Sequence, residues 1–115
     1  MLNLDKVPKN LEEALEILDG LAETDKSYLK ANGSVSVHFG FGGWLRNNWS
    51  LWEKDTPFVL WFNKLGIYHA DDMSGIILEA FIARLRGEPY DMQPTIQRYR
   101  NHWSSIGLDP DRIME

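Results

Sequence analysis

Hydrophobic and polar positions repeat at helical spacing along most of this chain. After Asn10, apolar residues recur every three or four positions while acidic residues fill the opposite face; the apolar ones are Leu11, Ala14, Leu15, Leu18 and Leu21. Asn10 followed three positions later by Glu13 is the capping-box signature of a helix start. We therefore predict an amphipathic helix that begins after Asn10 and ends near Gly20 or Leu21.

The longest predicted helix begins at the acidic pair Asp71 and Asp72 and ends near Arg86, where Gly87 stops it. Its apolar residues lie around much of the helix circumference, and they are Met73, Ile76, Ile77, Ala80, Phe81, Ile82 and Leu85. A helix that is apolar on most sides is buried on most sides. We therefore predict that residues 71–86 form the central helix of the fold.

Shorter helices are predicted elsewhere in the chain. One is a polar segment from Thr24 to Ala31, closed by a turn at Asn32-Gly33. Another begins at Pro57, a residue suited to the first helical position, and ends at a C-cap on Gly66. A last helix runs from Met92 or Thr95 to Ser105.

The stretch from His38 to Trp52 has the most unusual composition, with three tryptophans, three glycines, one histidine and one arginine. Each glycine inside a helix costs about 1 kcal/mol relative to alanine, so several together need a reason. We favour a helix capped by Ser34 whose bare backbone lets another helix approach closely, within the chain or across a homodimer seam. The alternative is a loop over residues 40–43 that divides the segment.

No segment alternates convincingly as a strand, so the chain is predicted to be an all-α bundle of five to six helices. Its length of 115 residues suits a single domain, 1–115, with an arm at 1–9 and a loose tail at 108–115. No apolar run approaches the roughly 18 residues that a membrane helix needs. The N-terminus lacks signal-peptide features and the chain has no cysteine, which favours the cytoplasm.

The net charge of −5 argues against nucleic acid as a partner, because no basic patch is available to neutralise phosphates. His69 with Asp71 and Asp72 resembles part of a metal site, but the spacing matches no complete ligand set. The simpler interpretation is that one of the two aspartates caps a helix and that His69 hydrogen-bonds a neighbouring backbone group. No nucleophile or phosphate-loop motif is present. We therefore expect no cofactor, no metal and no catalytic residue.

Arg46 and Asp72 lie in the two densest stretches of the sequence and are a predicted pair. Arginine prefers a carboxylate partner when it is partly buried. An internal ion pair is the interpretation we favour over a clamp for a substrate anion. The alternative function is an enzymatic or small-ligand site, in which Arg46 and Asp72 line one pocket with His38 and His69.

Fourteen aromatic residues are many for this length, and some of the tryptophans, such as Trp49, Trp52 or Trp103, are expected to lie on the surface. Tryptophan, tyrosine and arginine are common anchors of protein interfaces. We therefore predict a non-enzymatic protein-binding module. The candidate binding residues are Arg46, Trp49, Trp52, His38, His69 and Asp72.

Three stretches, Leu11 to Leu15, His38 to Trp52 and His69 to Ile77, carry a family resemblance that extends over residues 8–103. The chain resembles a family of small bacterial and phage-associated helical domains of unknown function, in which a proline is expected where this chain has Ala70. The resemblance implies a compact helical domain and brings no catalytic residue with it. By analogy with other small acidic domains, the expected role is that of an inhibitor of the immunity or phage anti-defence type.

Overall fold

Helix α5, Ala70–Leu85, is the central element of the computed structural model, which describes residues 6–114. Its core positions occur on all sides of the helix, and Met73, Ile76, Ile77 and Phe81 are fully buried. This confirms the predicted central helix, with each end displaced by one residue. Of the predicted arm and tail, residues 1–5 and 115 lie outside the described residues.

Five more α-helices and one π-helical turn make up the rest of the described fold. The helices are α1 (Leu11–Leu18), α2 (Glu23–Ser36), α3 (Gly43–Asn48), α4 (Pro57–Lys64) and α6 (Gln93–Ser105). The π-turn, His38–Gly42, directly precedes α3. Helices α1, α2 and α3 and the π-turn all contact α5. Residues 6–114 contain no strand, and the predicted all-α class is confirmed.

Local interactions fix where several helices begin. The Asn10 side chain accepts a hydrogen bond from the Glu13 amide at 2.9 Å, as the capping pattern predicts. Thr56 caps α4 in the same way by accepting from the Val59 amide at 3.3 Å, and Pro57 follows it as the first helical residue. The C-terminus of α1 was predicted less well, because the helix ends at Leu18 instead of Gly20 or Leu21.

The predicted turn at Asn32-Gly33 is present as a kink inside α2. Gly33 has φ 80° and ψ 170°, and helical structure resumes after it as far as Ser36. A positive φ of this kind is readily adopted by glycine and strained for other residues. The kink therefore divides α2 at the place where the sequence predicted its end.

The glycine stretch is helical throughout, and the alternative of a loop over residues 40–43 is wrong. A Cβ atom placed on Gly42 would lie 2.9 Å from Arg46 Nη1 and 3.6 Å from Leu78 Cδ1 of α5. The tight contact at Gly42 is therefore with the Arg46 side chain of the same segment, while α5 lies at ordinary contact distance. Gly40 differs, because apart from its own helix backbone and chain neighbours no heavy atom of residues 6–114 lies within 4 Å of the same position.

Helix α6 is attached to the rest of the fold by long side chains. Arg98 forms an ion pair with Glu79 of α5 at 3.0 Å, and Arg100 Nη1 donates to the Gly66 carbonyl at 2.8 Å. The Tyr99 hydroxyl of the same helix lies directly over Gly75 of α5, and a Cβ atom on Gly75 would clash with it. Burial raises the pKa of Tyr99 to about 12, so the phenol stays neutral in this contact.

Candidate functional site

Arg46 is a buried residue that joins three parts of the fold, with only 7% of its surface exposed. Its Nη1 donates to Ser74 Oγ at 2.8 Å, its Nη2 donates to the His38 carbonyl at 3.4 Å, and its Nε lies 3.4 Å from Asp71 Oδ1. The prediction that Arg46 pairs with Asp72 is therefore wrong, because its partner is the preceding residue, Asp71. Asp71 and Ser74 are three residues apart and share the helix face toward Arg46, whereas Asp72 points elsewhere.

Asp72 faces α6 and is buried there. Its Oδ2 accepts a hydrogen bond from Trp103 Nε1 at 2.7 Å. Burial raises the pKa of the Asp72 carboxyl, and this effect outweighs the opposing influence of the Trp103 hydrogen bond and of His69. The two acidic residues at the start of α5 thus serve two different contacts.

His69 is the N-cap of α5, a role that the sequence assigned to one of the two aspartates. Its Nδ1 accepts from the Asp71 amide at 3.0 Å, so the predicted hydrogen bond to neighbouring backbone is confirmed. The ring stacks on Trp103 with a centroid distance of 5.3 Å and meets the edge of Trp52 at 5.4 Å. Two indole rings therefore occupy the space beside the imidazole.

The four side chains of the pocket hypothesis divide between two faces of α5. Arg46 lies on the Ser74 face and touches only the backbone carbonyl of His38, whose ring packs on Phe39 at 5.3 Å. His69 and Asp72 lie with Trp103. Within residues 6–114 no ion pair links Arg46 to Asp72, but the Asp71 carboxylate lies between Arg46 and His69, with its Oδ1 3.4 Å from Arg46 Nε and its Oδ2 3.8 Å from His69 Nδ1.

The two candidate tryptophans of the His38-to-Trp52 stretch have different environments. Trp49 is 2% exposed and belongs to the core, where its ring lies 6.1 Å from that of Phe58. Trp52 is 46% exposed beside His69. The expectation of a surface tryptophan therefore holds for Trp52 and is wrong for Trp49.

A groove of about 900 Å³ lies between the end of α1, the first half of α2 and the π-turn with α3. Its lining is mostly apolar and consists of Leu18, Leu21, Ala22, Asp25, Tyr28, Ser36, Val37, Gly40, Phe41 and Trp44. The rings of Tyr28 and Phe41 are 6.4 Å apart, and Tyr28 is 52% exposed. The sequence pattern did not predict this surface.

Among residues 6–114, Asp25 is the one charged residue that lines the groove. It lies in the first turn of α2, where a carboxylate suits the helix dipole. Its side chain forms no ion pair or hydrogen bond with the other residues of the range 6–114. The groove thus combines an apolar lining with a single negative charge.

Other kinds of site find no support in the described part of the chain. Between residues 6 and 114 no three side chains of the metal-ligating types come close enough to share an ion. The helices in the same range are all too short or too polar to cross a membrane.

We expect Asp72→Asn to raise the melting temperature at neutral pH. Folding raises the pKa of this carboxyl above 3.8. The protonated Asp72 side chain therefore contributes its full stabilisation below pH 3.8, and this contribution is lost as the pH rises through the pKa of the folded state. Asparagine removes the buried charge and keeps an oxygen that can accept from Trp103. Thermal unfolding from about pH 4 to pH 8 should show a flatter profile for the variant than for the parent chain.

The matched control for this experiment is Asp55→Asn, which changes an exposed aspartate. It should leave both the melting temperature at pH 7 and the slope of the profile close to those of the parent chain. An Asp72→Asn chain that is less stable than the parent at every pH would show that the ionised carboxylate stabilises this end of α5.

The fold and these contacts define a small all-α domain built around one buried helix, with an open apolar groove on one side. The chain belongs to the family described as Domain of unknown function (DUF6794), whose model matches residues 7–85. The match confirms the predicted membership of a domain family of unknown function, and it ends with α5, before the predicted limit at residue 103. Neither the curated proteins nor the solved structures contain a match to this chain.

Proposed function

We propose that this domain binds another protein and that the groove between α1, α2 and the π-turn is its binding surface. The observation that carries the proposal is the combination of three aromatic residues, Tyr28, Phe41 and Trp44, in one apolar lining that is open to solvent. Tyrosine and tryptophan are frequent anchors of protein interfaces. Contiguous exposed apolar surface in a small domain is typical of an interaction site.

Two highly exposed apolar residues in the segment that borders the groove support the proposal. Val35 is 89% exposed and Phe39 is 88% exposed, and each directly precedes a lining residue in the chain, Ser36 and Gly40 respectively. Burial of a large apolar side chain contributes about 1.5–3 kcal/mol of favourable free energy, and an interface that covered these two residues would gain this contribution. A π-helical turn such as His38–Gly42 is also frequent at functional sites.

Photo-cross-linking tests the proposal and its location together. A benzophenone amino acid is placed at Tyr28 in one chain and at Trp52 in another, and each is irradiated in the cells that naturally make the protein. The two positions are about equally exposed, but only Tyr28 lines the groove. A single protein cross-linked from Tyr28 and not from Trp52 is the expected result.

Two outcomes would contradict the proposed surface. Cross-links from Trp52 alone would move the binding surface to the His69 end of α5. The absence of a cross-linked protein from both positions would remove the protein-binding proposal.

We expect Tyr28→Ala to weaken binding of the cross-linked partner at least tenfold while the fold is retained. Truncation of an interface anchor typically costs more than about 1–2 kcal/mol of binding free energy, whereas a half-exposed side chain contributes less to folding. Calorimetric titration of the purified pair gives the affinity, and circular dichroism checks the fold. Trp52→Ala is the control and should bind like the parent chain.

The proposal includes an inhibitory role of the immunity or phage anti-defence type, exerted in the cytoplasm. Its support is analogy with other small acidic domains, together with the net charge of −5 and the absence of cysteine from the sequence. The purified chain should then lower the activity of the cross-linked partner at equimolar concentration. The Tyr28→Ala chain should not do so, and equal inhibition by both would contradict a groove-mediated effect.

A further inference from the structure

We infer that the groove receives an amphipathic α-helix of the partner, which carries a lysine or arginine that pairs with Asp25. This inference rests on the proposed function and specifies the partner's chemistry. Three features of the described residues support it: the lack of a sheet edge, the open backbone at Gly40 and the single charge of the lining.

The first feature concerns the backbone of the bound segment. An extended peptide that binds by strand addition needs a sheet edge, where its amides and carbonyls are satisfied. Residues 6–114 contain no strand, so they offer no such edge. A helix satisfies its own backbone hydrogen bonds and presents only side chains, which suits a mostly apolar lining.

The second feature is the opening at Gly40. This glycine lines the groove, and apart from its own helix backbone and chain neighbours no heavy atom of residues 6–114 lies within 4 Å of the position of its missing side chain. Gly40 therefore offers bare backbone on the solvent side, where a partner helix can approach at short distance.

The third feature is the charge of the lining. Among residues 6–114, Asp25 is the only charged residue of the lining, and its carboxylate has no ion-pair or hydrogen-bond partner in the same range. A cation on the incoming helix would pair with it as apolar surface around it is buried. A second copy of this chain fits less well, since self-association of this surface brings the two Asp25 carboxylates into one interface.

A library of displayed 18-residue random peptides, selected on the parent chain, provides the probe. We expect the selected sequences to carry apolar residues at helical spacing, with a lysine or arginine at a fixed offset. The strongest peptide is then synthesised and measured by fluorescence anisotropy. Its circular dichroism should show helix formation on binding.

Two variants of the domain test the two specific contacts. Gly40→Leu fills the open position and should weaken binding of the peptide at least tenfold, with no loss of melting temperature. Its control is Ser27→Leu, which places the same side chain outside the groove. Asp25→Lys should weaken the peptide about tenfold or more, with a smaller loss at high salt. Asp55→Lys, an exposed position outside the lining, controls for the change in net charge.

The outcomes separate the inference from the proposed function. If no peptide is selected, or if every selected peptide binds Tyr28→Ala as well as the parent chain, the groove is not a protein-binding surface. If peptides depend on Tyr28 but are extended or proline-rich, or bind Asp25→Lys and Gly40→Leu undiminished, the proposed function survives and the basic helix is wrong.

Discussion

Trp49→Ala is expected to lower the free energy of unfolding by about 3–5 kcal/mol. The indole is 2% exposed and lies between the rings of Trp44 and Phe58, at centroid distances of 6.2 and 6.1 Å. Its removal leaves a large cavity that the surrounding helices can close only in part. Equilibrium unfolding in urea, followed by circular dichroism, measures the change.

Trp52→Ala is the matched control for this prediction, because it removes the same side chain from a half-exposed position. We expect it to lower the free energy of unfolding by less than about 1.5 kcal/mol, through the lost contact with His69. Equal losses in the two variants would contradict the different environments of the two tryptophans. A Trp49→Ala chain of normal stability that fails to bind its partner would restore Trp49 as a surface anchor.

Arg46→Ala is expected to lower the free energy of unfolding by about 2–3 kcal/mol. Most of this loss comes from the buried hydrogen bond to Ser74 and from the space left beside Gly42. The ion pair with Asp71 adds less than about 1 kcal/mol, because the Asp71 side chain is nearly half exposed. Urea unfolding of the two chains under identical conditions gives the difference.

Two further substitutions separate the contributions of Arg46. Asp71→Asn removes only the exposed partner and should cost less than about 1 kcal/mol. Arg46→Lys keeps the charge but not the planar fork that reaches Ser74 and the His38 carbonyl together, so its loss should be intermediate. An Arg46→Ala chain as stable as the parent would contradict a structural role.

These two predictions change how binding experiments on this domain are interpreted. By residue type, Arg46 and Trp49 were the best interface candidates, and both now belong to the interior. A loss of binding in either variant would follow from damage to the fold. Tyr28, which the sequence did not single out, is the more informative position because the fold depends on it less.

The sequence by itself determined the features that depend on neighbours a few positions away. Asn10 caps α1, Pro57 starts α4, and Gly33 adopts a positive φ at the predicted turn. The burial of α5 on most sides also followed from its sequence, because apolar residues around much of the helix leave little of its surface suited to water. The caps and the turn depend on contacts between residues a few positions apart, and the burial of α5 depends on its composition.

Only the tertiary structure decided which residues face one another. Neighbouring helix positions differ by about 100° in direction, so Asp71 reaches Arg46 while Asp72 reaches Trp103. Trp49 and Trp52 are three residues apart, yet one packs beside Phe58 and the other lies half exposed beside His69. The groove forms where the end of α1, α2 and the π-turn with α3 come together in the fold. Such arrangements depend on the packing of distant segments, which helical spacing along one segment does not specify.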